Sequence, residues 1–523
     1  MLELTLSTRY EAGSNVKGSV VGAGWRFALP SLELGHCVCL GAPTEAALAA
    51  LAQSSSRLTL LVDDPAAVQL PAIPQAEVEI ALDPLAGGSW PAPGSADLVV
   101  LCSRRWQRRL AARRSELDRL LSPGGLLFAE RPGGAVRGDD ARLWLAPPFG
   151  EVTCVAEVDD QAVRRFLERH LRAEAGVRRR LPDRARRLVR TSRLTGAVLP
   201  RPALLAGAAG PPGLPPAYVV ELARDGGVDL TGWRCGVSAP GRYSSKKVLC
   251  FLFPPGSDRP ERIAKLTRHP AFNARLENEH RSLSWLRERW PEGQSTFPAT
   301  LFLGHHAGLA VTGQTHVDGV PLRERASGRP DCPAVGAVLA WLADLARATV
   351  ETVPPETVAA ALGTLLERYA GLYRPAPGEL AFLERQLTAI GSSGDPFPLV
   401  FQHGDPGLWN AVATGPGIAF LDWEAAEPRG MPLWDLFYFV RSVAPPGRGR
   451  SHPLTTVLLG RELDGYCERI GLSRDLASPL LYACWMHRAL KEATRLPEER
   501  LAGGQFVTLL RDCIRDGTGL GEL

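Results

Sequence analysis

Phe401-Gln402-His403-Gly404-Asp405-Pro406-Gly407-Leu408-Trp409-Asn410, followed by Ile418-Ala419-Phe420-Leu421-Asp422-Trp423-Glu424, decides how the C-terminal half of this chain is read. Asp405 sits in a Gly/Pro-rich loop between apolar runs, and Asn410 follows it by five residues. A short apolar strand then ends in a second carboxylate, Asp422. Two carboxylates and an amide at strand ends make a set of hard oxygen donors. Such a set suits Mg²⁺, which keeps some of its water and completes its shell with carboxylates and phosphate oxygens. The competing reading is that Asp405 and Asn410 only shape turns, which Asp, Asn, Gly and Pro all favour.

Working outward, 523 residues predict two to four domains. An apolar content of 45% is enough for sizeable cores. A net charge of +4 gives no general argument for nucleic acid or a membrane surface, so no specific nucleic-acid partner is expected. No run of about eighteen apolar residues predicts a membrane span, and no signal peptide is visible. The ten cysteines form no CxxC pair, and a reducing cytoplasm is the expected location. Lysine is scarce: Lys17, Lys246, Lys247, Lys265 and Lys491 stand against a large excess of arginine, which makes each one worth attention.

An Asp that orients a hydroxyl, an Asn five residues on, and a later Asp on the metals is the layout of a phosphoryl-transfer site. On His403-Gly404-Asp405, Asn410 and Asp422-Trp423-Glu424, with Pro432-Leu433-Trp434-Asp435-Leu436 after them, the C-terminal half resembles the aminoglycoside phosphotransferase and choline kinase family. That family is a small-molecule branch of the protein-kinase-like fold. The resemblance implies an α+β bilobal domain, with an N-lobe over 218–318 and a C-lobe over 319–523. It implies ATP and Mg²⁺ as cofactors and a small-molecule hydroxyl as acceptor. Asp405 is then the catalytic residue, Asn410 and Asp422 hold the metal, and His403 braces the loop.

The residues upstream supply what such a site needs. Gly236-Val237-Ser238-Ala239-Pro240-Gly241-Arg242-Tyr243-Ser244-Ser245 is a small-residue loop before the strand Lys247–Phe253. Backbone N–H groups of such a loop can cradle phosphates, which makes Gly236, Ser238, Gly241, Ser244 and Ser245 the expected nucleotide contacts. Lys265 lies in the apolar run Ile263-Ala264-Lys265-Leu266, where an ammonium is costly unless it meets an anion. The resemblance makes Lys265 the phosphate-gripping lysine and Glu279 its helical carboxylate, in preference to Glu277. A strand-edge role for Lys265, with Lys246 or Lys247 in its place, is the alternative. Leu309–Gln314 into Gly319–Leu322 resembles the strand and hinge between lobes. Tyr438, Arg441, Trp485 and His487 are candidates for the acceptor pocket.

The N-terminal half reads differently. Strands at Cys37–Leu40, Leu58–Val62, Asp97–Leu101 and Leu126–Ala129 alternate with helices at Glu45–Gln53 and about 107–121. Alternation of this kind predicts a doubly wound α/β sheet, and 1–193 is the expected domain. Over roughly 30–160 it resembles a class I methyltransferase, with Asp63 after the second strand and Leu121-Ser122-Pro123-Gly124-Gly125 before a late one. The turn Gly41-Ala42-Pro43 has too few glycines for close backbone approach to a cofactor, and Pro43 lacks an N–H. S-adenosylmethionine is therefore not expected, although Asp63 could bond a ribose. Residues 161–193 are Arg-dense and read as a solvated amphipathic helix broken at Pro182, or as an anion-binding patch. Residues 194–217 are Pro/Gly-rich and are the expected linker. Two alternatives stand beside the phosphotransferase reading: a non-catalytic scaffold, and a bifunctional methyltransferase–kinase. The sequence assigns neither the acceptor nor the oligomeric state.

Overall fold

The computed structural model describes residues 23–67, 76–129, 142–146, 154–157, 159–174, 201–207, 215–239, 247–327, 329–392, 395–415, 417–443, 453–494, 496 and 498–515. These fall into two compact units: one from 16–276 and 300–316, the other from 277–299 and 317–523.

The first unit is built on one thirteen-stranded sheet. Its strands are β1 (Leu34–Leu40), β2 (Ser55–Val62), β3 (Glu77–Leu82), β4 (Ala96–Leu101), β5 (Leu121–Ala129), β6 (Arg142–Ala146), β7 (Cys154–Glu157), β8 (Arg201–Gly207), β9 (Arg234–Ser238), β10 (Val248–Phe253), β11 (Arg262–Leu266), β12 (Thr300–His306) and β13 (Leu309–Thr315). Their order across the sheet is 12-13-11-10-9-7-6-8-5-4-1-2-3. The run 3-2-1-4-5 is parallel, within a sheet that is mixed as a whole. β2, β4 and β5 carry apolar runs because both faces are covered, while the edge strand β3 alternates glutamate with apolar residues. Cys37, Cys39, Leu58 and Leu98 belong to one buried cluster, while the alternating Val38, Leu40, Val99 and Leu101 belong to another. The helix Glu45–Ser54 starts on a Thr44 cap, whose hydroxyl accepts the Ala47 N–H at 3.3 Å.

Beyond β5 the pairing turns antiparallel and continues without a break. β7 pairs β9 through Cys154↔Ser238 and Val155↔Val237, and β9, β10, β11, β13 and β12 complete the sheet. The expected cut between an N-terminal domain ending at 193 and a lobe starting at 218 therefore runs through a single sheet. The stretch expected as a linker contributes β8, which pairs β5 and β6. Ala203-Leu204-Leu205-Ala206 supplies an apolar run there, and Pro202 sits near the strand's start, where proline is tolerated. The helix expected at about 107–121 is two shorter ones, Arg104–Arg109 and Arg114–Leu120. Of the Arg-dense stretch, Gln161–Glu174 is helical, and 175–193 lies outside the described residues.

The second unit is mainly helical. Helices Asn273–Arg289, Pro333–Thr349, Pro355–Tyr373, Pro377–Gly391, Trp434–Val443, Pro453–Ile470, Ala477–Ala493 and Gln505–Arg515 run in chain order. Two small sheets join them: β14 (Val320–Pro321) with β17 (Ala411–Ala413) and β18 (Ile418–Phe420), and β15 (Glu351–Val353) with β16 (Phe397–Gln402) and β19 (Glu427–Gly430). Every residue of β16 is buried, and Trp423, Trp434, Phe401 and Phe420 anchor the core around it. No described helix is long and apolar enough to cross a membrane.

Candidate active site

The loop after β16 is held by a buried carboxylate. Asp435, from the first turn of the helix Trp434–Val443, accepts the His403 N–H at 2.6 Å and the Gly404 N–H at 3.1 Å. Gly404 has φ 76°, and a Cβ there would lie 2.0 Å from the Ala425 carbonyl, so only glycine fits. His403 is fully buried, and burial pulls its pKa down against the charges of Asp435 and Asp405. Its Nδ1 takes the Asp405 N–H at 3.2 Å, which assigns the proton to Nε2, 2.9 Å from the Leu421 carbonyl. Both ring nitrogens are committed, so His403 ties the Asp405 loop to the strand that leads into Asp422.

Asp405 and Asn410 lie in hydrogen-bond contact. The Asn410 amide donates to the Asp405 carbonyl at 2.9 Å and to its Oδ2 at 3.2 Å. Its Oδ1, the atom a hard cation takes, is not used in either bond. Trp409, 52% exposed, donates its indole N–H to the same Oδ2 at 3.4 Å. Burial works to raise the Asp405 pKa, but Arg488 and then Lys491, with His403 and Tyr438, outweigh it and hold the carboxyl below its usual range. Asp405 is thus ionised at neutral pH.

Asp422 follows β18 with φ 67°, the left-handed region that non-glycine residues seldom enter. The Leu421 N–H bonds the Asn410 carbonyl at 2.8 Å, which links the two expected metal ligands through backbone. The next N–H, of Trp423, donates to Glu279 Oε1 at 3.3 Å. Glu279 is fully buried and Glu277 only partly so, which separates the two along the helix Asn273–Arg289. Among the described residues no three His, Cys, Asp or Glu side chains converge as a metal set. Asn410 and Asp422 offer oxygen donors of the type Mg²⁺ takes, with phosphate and water to complete the shell.

In the first unit, Lys265 is 7% exposed on β11 and stands opposite Leu249 on one side and Thr312 on the other. Leu249 in turn faces Ser238, so Ser238 and Lys265 share one row on one face of the sheet. Ser238 and Gly236 lie inside β9 and not in a loop. A Cβ on Gly236 would be 2.6 Å from Val163, so this glycine admits the helix Gln161–Glu174 against the strand. Ser238 is fully buried beside Cys154. Gly241, Ser244 and Ser245 lie outside the described residues.

Four further residues surround Asp405 that sequence reasoning did not place there. Arg488 and Lys491 come from the helix Ala477–Ala493. The Arg488 guanidinium stacks 3.5 Å from the Tyr438 ring centroid, and Lys491 Nζ donates to the Gly404 carbonyl at 3.3 Å. Glu427, at the start of β19, is pushed up to about 7 by burial, with Asp435 adding to the effect and Lys491 and Arg488 opposing it. Asp435 was visible in the sequence only as part of a motif. The scarcity of lysine was the signal that marked Lys491. Of the acceptor candidates, Tyr438 is at the site. Trp485 stacks on Phe506 and His487 on Trp434, both as core packing.

Residues 255–478 match the phosphotransferase enzyme family, so the C-terminal half carries a domain of that family. No curated protein matches the chain. Among solved structures, the chain is similar to an aminoglycoside phosphotransferase from Streptomyces rimosus in complex with ADP and streptomycin, at 18% identity over 55% of this chain and 98% of that one, TM-score 0.31. A macrolide 2'-phosphotransferase from Brachybacterium faecium matches at 18% identity over 56% and 95%, TM-score 0.34. A choline/ethanolamine kinase family protein from Mesorhizobium loti matches at 15% over 51% and 85%, TM-score 0.31.

Proposed function

We propose that this protein transfers the γ-phosphoryl group of ATP to a hydroxyl of a small molecule. The observation that carries the reading is the Asp405 loop: an ionised carboxylate bonded to Asn410, braced by Asp435 and tied through His403 to the strand that ends at Asp422. Asp405 orients the acceptor hydroxyl and takes its proton as the oxygen bonds the γ-phosphorus and the bond to the β–γ bridging oxygen breaks, releasing ADP. Asn410 and Asp422 hold Mg²⁺, which neutralises charge on the phosphates. Lys265 adds a cation to the phosphates, and Glu279 is the buried carboxylate expected to serve it. The ionised state of Asp405 fits a positioning role, since such catalysis is mostly orientation and charge neutralisation. The setting we assign to such an enzyme is the reducing cytoplasm.

Calorimetric titration of MgATP into the wild type, Asp422→Ala and Asp405→Asn tests this. Mg²⁺-dependent binding is expected in the wild type, lost in Asp422→Ala and retained in Asp405→Asn, whose ATP turnover is abolished. Absence of binding in the wild type refutes the reading, and equal loss of binding and turnover in Asp405→Asn refutes the role given to Asp405.

A second reading concerns the α/β half: a methyltransferase-like frame that does not bind S-adenosylmethionine. The parallel 3-2-1-4-5 order supports the frame. At the ends of β1 and β4, where a ligand of such a fold binds, the Cys102 and Ser103 N–H groups both bond the Leu40 carbonyl. A Cβ on Gly41 would lie 2.6 Å from Ser103 Cβ, and Asp63 is paired with Arg105 at 2.6 Å. Titration with S-adenosylmethionine is expected to give no heat. Saturable binding overturns this reading.

A further inference from the structure

The sheet face that carries Lys265 is shared with a helix from the N-terminal half. Alternate residues of a strand point to one face, and directly paired residues point the same way. Lys265 therefore stands on the face of Ile263, Leu249, Phe251, Ser238 and Gly236. The helix Gln161–Glu174 lies on this face. Val163 and Leu167 close over Gly236, where a Cβ would be 2.6 Å and 3.0 Å from them, and both join Phe251, Phe253 and Ile263 in one buried cluster. Beside them Phe166 meets Phe251 edge-on with ring centroids 4.8 Å apart, and His316 edge-on at 6.0 Å. The Asp160–Arg234 pair fixes the start of the helix against β9.

We propose that Phe166 is a specificity-determining residue of the nucleotide site, receiving the purine base of ATP on its ring, so that the N-terminal half completes the site; the proposal rests on the phosphotransferase reading above. Leu167, Phe251 and Phe253 are buried and hold the helix to the sheet, whereas Phe166, His316 and Leu249 are only half-buried. Leu249 stands between Ser238 and Lys265 across the sheet. Phe251, on which Phe166 rests, is two residues further along β10, about 7 Å away. The segment expected to cradle phosphates leaves β9 after Ser238 and returns at the start of β10, the opposite end from Phe251. A nucleotide with its phosphates at that end and at Lys265 therefore has its base directed along β10 toward Phe251 and Phe166. A planar base stacks on an aromatic ring better than on an aliphatic side chain. Phe251, Phe253 and His316 already fix the Phe166 ring, so little further ordering is needed to receive the base.

Calorimetry with MgATP on the wild type, Phe166→Leu and Phe166→Tyr tests this. Phe166→Leu keeps an apolar side chain over Phe251 and is expected to weaken MgATP binding about fivefold or more, and Phe166→Tyr to restore it to within about twofold. In a second arm, 8-azido-ATP, whose reactive group is on the base, is expected on irradiation to label the helix 161–174 of the wild type, and excess ATP to compete the label away. An unchanged affinity in Phe166→Leu overturns the proposal, as does a loss that Phe166→Tyr does not restore. Tighter binding in Phe166→Leu overturns it too, since it shows a helix that blocks the base. Competed labelling that is absent, or confined to other segments, overturns it on the wild type alone, even where a variant fails to fold. A wild type that binds no MgATP refutes the phosphotransferase reading and this proposal with it, whereas wild-type binding untouched by Phe166→Leu refutes this proposal alone.

Discussion

Asp160→Ala is expected to release the helix Gln161–Glu174 from the strand it covers. Asp160 has two tasks. Its Oδ1 accepts the Val163 N–H at 3.1 Å as the helix cap, and both its oxygens take Arg234 Nη1 of β9 at 3.0 Å. Losing the cap costs about 1 kcal/mol. Losing a charge-assisted pair costs about 1–3 kcal/mol, toward the lower end here because the Arg234 side chain is 32% exposed, while that of Asp160 is 9%. The sum is about 2–4 kcal/mol of local opening free energy. The packing that remains, Phe166 at 4.8 Å from Phe251 and Val163 over Gly236, does not replace it. Hydrogen exchange of the amides of 163–170 should therefore accelerate about 30-fold or more. The double variant with Arg234→Met should fall short of additivity, because both changes break the same pair. Acceleration below about threefold would refute the assignment of Asp160 as the latch.

Glu427→Gln should flatten the pH dependence of stability. The folded pKa of Glu427, about 7, lies above its ordinary 4.5, so the folded state binds the extra proton between those values. Its stabilising contribution is complete below pH 4.5 and is lost as pH rises through 7. Urea denaturation should show the wild type losing about 1–3 kcal/mol more than the variant between pH 5 and pH 8, and equal losses would refute it. A chain that begins at residue 218 should fail to give a soluble monomer by size-exclusion chromatography. It leaves the β9 edge unpaired and removes the Cys37, Leu58 and Leu98 side of the cluster that covers Val237, Cys250 and Val311. A folded monomer would show that the sheet is not one cooperative structure.

Local pattern carried much of this molecule. Four of the five parallel strands were legible as short apolar runs because both faces are buried; the edge strand β3, which alternates glutamate with apolar residues, was not, and the Asp405–Asn410–Asp422 spacing was legible because one loop and one hairpin fix it. What was hidden depends on distance in sequence. β7 is only four residues long and contacts β9 across eighty positions, a pairing no local periodicity reports. Gly236 looked like loop glycine, since composition cannot distinguish backbone freedom from room for a helix. Arg488 and Lys491 reach Asp405 from a helix more than eighty residues downstream, and nothing in their immediate neighbours marks them. Asp63 was legible as a carboxylate after a strand, but its partner Arg105 comes from the helix after β4, forty-two residues on.

The pairing of β7 with β9 also sets what recombination can do with this chain. A border that falls between two hydrogen-bonded strands cannot be cut and rejoined to a different neighbour without leaving an unpaired edge on each piece. Substitutions in the loops after β1 and β4 leave the sheet whole, whereas those that break β7 or β8 reach strands from both halves of the chain. The N-terminal half can therefore change in those loops and still be impossible to discard.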